Sequence, residues 1–404
     1  MTARALDVEA WFATKGWTPF KFQREAWEAH ARGESGLIEA ATGLGKTLAV
    51  WLGPLQDWRH ANPDAKDAPP LQVLWITPLR ALAKDTYQAL TAPLEALGIP
   101  WTVELRTGDT SASLRKRQRE RLPSALIITP ESLSLLLTYP ETAERMRTLC
   151  TVIVDEWHEL LGTKRGVQTE LCLARLRRWV PDLRVWGLSA TLGNLATARD
   201  VLLAGRPGIL INGGITRQVA VDTAIPATVE RFPWAGHLGL SGIPQVVDLL
   251  GSAGTTLLFT NTRNQAERWY QALTLYMPEW EDEIAIHHGS LSSAERDRVE
   301  RAIADRKLRC VVCTSSLDLG VDFSPVDQVI QIGSPRGVAR LLQRAGRSGH
   351  QPDGVSRVTC VPTNSMELAE FAAVRSAIAD RDIETRKPLT GSLFRASIST
   401  GPRA

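Results

Sequence analysis

Two adjacent acids close a short apolar run in "VIVDEWHEL": Asp155 and Glu156 follow Val152-Ile153-Val154, and His158 stands two residues further on. Paired carboxylates in such a place serve either as a metal ligand and a general base or as a merely solvated strand end. A second stretch, "EAATGLGKTLAVWLG", closes a P-loop pattern at Gly45-Lys46-Thr47, with Ala40 where the first glycine of that pattern usually stands. Gly43 and Gly45, beside Thr42, let the backbone curl so that its N–H groups face a phosphate. The helix starting near Lys46 adds its positive end. Lys46 would then neutralise the β- and γ-phosphates, and the Thr47 hydroxyl would bind Mg²⁺. A site of this kind needs a second strand, parallel and adjacent, ending in an acid that holds the same ion. Asp155 fits that need, and Glu156 would polarise the attacking water. The rival reading of "HEL" as the start of a zinc-protease HExxH helix fails, because Gly162 stands where the second histidine belongs.

The elements that must place these groups are short apolar strands alternating with amphipathic stretches. "GLIEAATG", "QVLWITP", "ALIITP", "TVIVDE" and "LRVWGLSAT" read as strands, and "TTLLFTNT", "EIAIHHGS", "RCVVCTSS" and "DQVIQIGSP" repeat the habit after position 250. Continuous apolar strands separated by helices predict parallel sheets covered on both faces, with ligands at the carboxyl ends of the strands. The pattern pauses at "AGRPGILINGGITRQ" and "ERFPWAGHLGLSGIP", both rich in Gly and Pro, which puts a domain junction near 205. The expected organisation is therefore two α/β domains, residues 1–205 and 206–385, followed by a frayed tail over 386–404.

With 404 residues, 44% hydrophobic and 23% charged, the chain has room for two or three domains of soluble-protein composition. No apolar run reaches the length of a membrane span, and "MTARALDVEAWFATKGW" lacks the apolar core of a signal peptide, so a cytoplasmic protein without a membrane partner is expected. Five cysteines make no disulfide framework, and the lone CxxC, Cys310 and Cys313, sits in an expected buried strand with no second ligand pair near it. A net charge of +3 neither demands nor excludes nucleic acid. The densest basic cluster is Arg115, Lys116, Arg117, Arg119 and Arg121, read alone as a solvated helix face.

In order, "FKFQREAW", "ATGLGKT", "TPLRALAKD", "TGDT", "TPESL", "DEWH", "SAT", "LLFTNTRNQAE", "HHGSLS", "TSSLDLGVDF" and "QRAGRSGH" make the chain resemble superfamily 2 helicases of the DEXH-box type over roughly residues 15–350. "DEWHEL" followed by "GTKRG", with the last motif ending in His350, looks most like the Lhr-type helicases, in particular the bacterial branch associated with DNA ligase. The resemblance implies two tandem RecA-like P-loop domains, each a parallel sheet flanked by helices, with ATP in the cleft between them and Mg²⁺ as its ion. It implies that Gln23 reads adenine through its side-chain amide, with Phe20 packing nearby. Gln343 would orient water and γ-phosphate, Arg347 would be the arginine finger and Arg344 would support it. Gly320 and Asp322 would touch the ribose. His158, Ser189 and Thr191 would link hydrolysis to movement. Many relatives carry a third arginine where His350 stands.

The resemblance further implies that a nucleic-acid strand is held by Arg80, Thr107, Gly108 and Thr129 in the first domain and by Thr260, Asn261, His288, Gly289 and Thr314 in the second. Hydroxyls, amides and helix N-termini of this kind hold phosphates without reading bases, as a translocase requires. The Arg115–Arg121 cluster gains a backbone-contacting role on the same reading. Lhr-type enzymes suggest 3′-to-5′ movement on single-stranded or partly duplex DNA in repair, with other repair proteins as partners and the nucleoid as the place of work. An RNA-directed helicase and a non-catalytic nucleic-acid-binding fragment are the competing readings. Such relatives continue past the second domain, so this chain is expected to be their helicase core.

Overall fold

The computed structural model describes residues 7–41, 43–190, 192–214, 219–225, 238–318, 326–348, 355–380 and 382–389. Two compact units divide the chain. One runs from the N-terminus to Ile215 and takes in the segment from Thr385, and the other is Thr216–Glu384.

The first unit carries seven strands: β1 Gly36–Glu39, β2 Val73–Ile76, β3 Val103–Arg106, β4 Ala125–Ile128, β5 Thr151–Val154, β6 Arg184–Ser189 and β7 Ile209–Asn212. They pair in the order β3-β4-β2-β5-β6-β1-β7, every pairing parallel. The second unit carries β8 Val219–Thr223, β9 Thr256–Phe259, β10 Ile284–His287, β11 Cys310–Cys313, β12 Gln328–Ile332 and β13 Ser356–Val361. Their order is β10-β11-β9-β12-β13-β8, again all parallel. This is the expected fold class: two parallel sheets flanked by helices.

Residues alternate between the two faces of each sheet, and both faces are covered. Trp75, Ile127 and Ile153 join one core of the first unit, while Leu74, Ile76, Leu126, Ile128, Val152 and Val154 join the other. The same alternation separates the CxxC pair. Cys310 lies in one core of the second unit and Cys313 in the other, so the two thiols face opposite sides of β11 and cannot share one metal ion. Burial pushes the Cys310 thiol up to about 12.

Four strands escaped the sequence reading. β3 ("VELR") and β7 ("ILIN") are edge strands with mixed burial, and β8 edges the second sheet. β13 is largely buried but spells "SRVTCV", whose polar letters hide it. β7 pairs with β1, so the first sheet ends beyond position 205. Arg386 and Lys387, placed by the sequence in a loose tail, lie on the first unit. The Asn194 amide donates to the Arg386 carbonyl at 2.9 Å and accepts its N–H at 3.0 Å. Among the described residues no helix is long and apolar enough to cross a membrane.

One acid in this frame gives a pH signature. Burial on the helix Lys164–Trp179 pushes Glu170 up to about 7. A carboxyl that is harder to ionise folded than unfolded costs stability as pH rises from the ordinary glutamate range to about 7. Glu170→Gln is therefore expected to stabilise the first unit by about 1 kcal/mol at pH 8, after discounting for solvent screening, and to be near neutral at pH 4.5. Paired melting curves at the two pH values test this, and equal shifts at both would contradict it.

Candidate nucleotide site and nucleic-acid interface

The P-loop leaves the carboxyl end of β1. Gly43 and Gly45 both sit in the left-handed region, at φ 83° and 76°, where a side chain would be strained. Gly45 caps the helix Lys46–Ala61, so the helix's free N–H groups open onto the loop. Lys46 is buried and donates from Nζ to the Ala40 carbonyl at 2.6 Å, folding its ammonium back over the loop. Thr47 is the second residue of that helix. Thr42 lies outside the described residues.

The acid pair leaves β5, which is parallel to β1 but not adjacent to it as expected, because β6 pairs between them. The Asp155 carboxylate accepts the Glu156 N–H at 2.9 Å and lies 3.3 Å from the donor Trp75 Nε1 on β2. Burial first, then the Glu156 charge, pushes Asp155 up to about 7 against the pull of Lys46. Glu156 sits at φ 45°, strained for a residue with a Cβ. Its Oε2 is buried without a hydrogen-bond partner among the described residues.

His158 joins this pair to the end of β6. Its Nδ1 accepts the Ala190 N–H at 3.2 Å, so that nitrogen carries no proton and its 3.4 Å approach to Glu156 Oε2 is not a hydrogen bond. Burial holds His158 below its usual range, which agrees with a neutral ring. Ser189 accepts the Ala40 N–H through its carbonyl at 3.2 Å, and its hydroxyl donates to the Ala190 carbonyl at 2.7 Å. The strand ends after β1, β5 and β6 are thus wired together through Ala40, His158 and Ser189. Thr191 lies outside the described residues. Trp157 is fully buried, and its Nε1 donates to the Ala198 carbonyl at 2.8 Å, which makes it a packing residue.

Gln23 has hydrogen-bond partners inside the first unit. Its Oε1 accepts the Phe20 N–H at 2.8 Å and its Nε2 donates to the Gly45 carbonyl at 3.0 Å. Both arms of the amide that was assigned to adenine are engaged inside the protein, where they brace the P-loop. Nε2 keeps a second N–H and Oε1 a second lone pair. Phe20 stacks on Phe22 at 5.8 Å between ring centres.

In the second unit Arg344 is 1% exposed. Nε donates to Asp318 Oδ1 at 2.7 Å, the terminal nitrogens reach Asp318 Oδ2 and Gln331 Oε1, and the guanidinium lies over the Phe259 ring. Three of its five N–H groups are held by Asp318 and Gln331 inside the unit, as suits a supporting residue. Its support for Arg347 is indirect. Arg344 pins Asp318, whose carbonyl accepts from Arg347 at 3.0 Å. Gln343 is buried with Nε2 unpartnered among the described residues. Gly320, Asp322 and His350 lie outside the described residues.

The expected nucleic-acid residues all follow carboxyl ends of strands. Thr107 and Gly108 follow β3, and Thr129 follows β4 at the N-cap of Pro130–Leu136. Arg80 opens the helix Arg80–Ala96 after β2. Thr260 and Asn261 follow β9, His288 and Gly289 follow β10, and Thr314 follows β11. Thr260 is a correction. It is 0% exposed, and its single hydroxyl proton is used on the Cys313 or Thr262 carbonyl, so it holds two strand ends together and presents nothing to a strand outside. Asn261 Nδ2 donates to the Ser334 carbonyl at 2.8 Å. The basic cluster on the helix Ala112–Glu120 is partly internal. Arg115 donates to the Thr107 and Gly108 carbonyls at 3.0 and 2.8 Å, Arg117 pairs with Glu104, and Arg119 lies over Tyr139.

Known proteins with this arrangement are helicases. The DEAD/DEAH box helicase domain profile matches residues 20–198, and the helicase conserved C-terminal domain profile matches 242–351. The ATP-dependent helicase Lhr-Core protein 2 of Thermococcus barophilus is 33% identical over 396 residues, covering 94% of this chain and 46% of that protein. The Lhr helicase of Mycobacterium smegmatis, solved with ssDNA and AMP-PNP, superposes with a TM-score of 0.83 at 32% identity, covering 97% of this chain and 52% of that one. The chain belongs to the Lhr-type DEAD/DEAH-box helicases. It spans about half the length of the relatives it matches.

In this Lhr-type chain two residues did structural work that the sequence reading missed. Trp75 reaches the metal-ligand candidate from a neighbouring strand, and no local pattern marks it. Asp318 lies inside "TSSLDLGVDF" and organises both arginines of "QRAGRSGH"; only its position between motif residues hinted at it. The donor set also fits Mg²⁺, since Asp155 and Thr47 offer oxygen ligands beside a buried, unpartnered carboxylate oxygen on Glu156.

Proposed function

We propose that the chain is an ATP-driven motor that moves along single-stranded DNA in the 3′-to-5′ direction and serves DNA repair. One observation carries the reading. The carboxyl edge of the first sheet is divided: the P-loop, acid pair and Ser189 cluster at β1, β5 and β6, while Thr107, Gly108 and Thr129 line the β3–β4 end. Phosphate chemistry and strand contact would then share one sheet edge, with His158 and Ser189 passing changes between its loops. The preference for DNA is supported by the ssDNA held by the Mycobacterium smegmatis relative.

On this reading Lys46 leaves Ala40 for the phosphates, and Glu156 takes the proton of the attacking water through its unpartnered Oε2. Mg²⁺ held by Asp155 and Thr47 would neutralise phosphate charge. Gln343 would orient the water and Arg347 would act as the arginine finger, as the family resemblance implies. Nucleotide hydrolysis by the intact chain should rise severalfold with single-stranded DNA and less with single-stranded RNA of the same sequence. Stronger stimulation by RNA would favour the RNA-directed reading, and no stimulation by either would sink the motor.

A further inference from the structure

His287, the first histidine of "HHGSLS", is 1% exposed and was given no role by the motif reading. It ends β10, directly beside Cys313 at the end of β11. Its ring touches two other elements. Nδ1 lies 2.8 Å from Ser316 Oγ, in the 3-10 turn Ser315–Leu317 that follows Thr314. Nε2 lies 3.2 Å from Glu300 Oε1, on the helix Ser293–Ala304. The His287 carbonyl adds two further ties: it accepts from Ser316 Oγ at 3.0 Å and from the Thr314 N–H at 3.3 Å.

The trio of types suggests a hydrolytic relay, and the geometry argues against it. Ser316 Oγ is shared between the ring and a main-chain carbonyl, and the imidazole is shut away from any substrate. What the ring does instead is mechanical. It fastens the turn after β11 to the end of β10, and it fastens both to a helix behind them. Its immediate neighbours His288 and Gly289, and Thr314 two residues before Ser316, are among the proposed strand-contacting residues of this unit. Charged groups facing the pair of histidines are Glu300 at His287 and Glu267 at His288, the latter 3.7 Å from His288 Nε2.

We propose that His287, through Ser316 and Glu300, is a positioning residue that holds the turns at His288–Gly289 and Thr314 at one spacing, matched to successive phosphates of a bound strand. The inference rests on the nucleic-acid reading above. Phosphate contacts set register without reading sequence, so an error in their spacing weakens binding to every sequence alike. Chemistry at the acid pair in the first unit is left to its own groups.

The test measures hydrolysis by the intact chain against concentration of single-stranded DNA, with fluorescence anisotropy for binding. Ser316→Ala and His287→Ala should raise the KM for DNA about fivefold or more, with the rate at saturating DNA within about twofold of the parent. His287→Asn should restore most of the affinity, because its amide nitrogen replaces Nδ1 opposite Ser316. Ser316→Ala removes one oxygen from a partly exposed turn, so it reports even where His287→Ala fails to fold. A parent stimulated by DNA with Ser316→Ala and His287→Ala of unchanged KM overturns this inference alone. Loss of melting temperature and saturated rate together, without a KM change, overturns it too. A parent that binds no nucleic acid removes both this inference and the motor reading.

Discussion

Glu156→Gln is expected to cut the hydrolysis rate by about 10²-fold or more while nucleotide still binds. The substitution keeps size and replaces a buried carboxylate oxygen that has no hydrogen-bond partner among the described residues by an amide. Asp155 keeps its bonds to Trp75 and to the backbone of residue 156, so the ligand for the ion survives. The strained backbone at position 156 survives as well, because glutamine has the same Cβ constraint. The measurement is single-turnover hydrolysis beside fluorescent-nucleotide binding. A variant that hydrolyses at the parental rate would remove Glu156 as the base, and one that loses nucleotide binding would assign it to the ion instead. Gly45→Ala offers a contrast. Its new methyl would stand 2.7 Å from Gln23 Nε2 at a left-handed φ, so binding should fail before chemistry does.

These residues were legible in the sequence for a physical reason. A P-loop needs a strand, glycines able to take positive φ, a lysine and a hydroxyl in fixed order, and an acid ending a buried apolar run has few other uses. Both belong to unbroken local stretches. The errors share a cause as well. Thr129 and Thr260 each follow a strand and both are buried, and spacing alone cannot say where a hydroxyl goes: Thr129 donates to Ser132 Oγ, Thr260 to the Cys313 or Thr262 carbonyl. Gln23 was read from the ligand's side, while its partners, Phe20 and Gly45, lie on a cap and on a loop twenty-two residues away. Trp75 and His287 act across strands, and cross-strand neighbours are set by sheet order rather than by sequence distance. The edge strands β3 and β7 were hidden because a half-exposed strand loses the continuous apolar run that marks a buried one.

The second large effect concerns Asp318. Its replacement by alanine should destabilise the second unit by about 3–5 kcal/mol, because it leaves the Arg344 guanidinium buried with its principal counter-ion gone. Arg344 is too enclosed to turn toward water, and Gln331 and the Phe259 face cannot replace a bidentate carboxylate. Arg340, 3.6 Å from the same carboxylate, loses a partner as well. Arg344→Met alone should cost somewhat less, since the buried Asp318 then keeps only Arg340, at 3.6 Å, as a partner. The pair Asp318→Leu with Arg344→Met should recover much of the loss, because an apolar pair of similar volume pays no desolvation. Hydrolysis should not recover with it. The Asp318 main-chain carbonyl that accepts from Arg347 is held in place by the ion pair, so the repacked unit keeps its fold while Arg347 loses its fixed direction. Urea unfolding of the single and double variants, beside their turnover, separates the two outcomes. Additive losses across the pair would show that the ion pair is not a unit, and a double variant with parental turnover would show that Arg347 needs no such anchor.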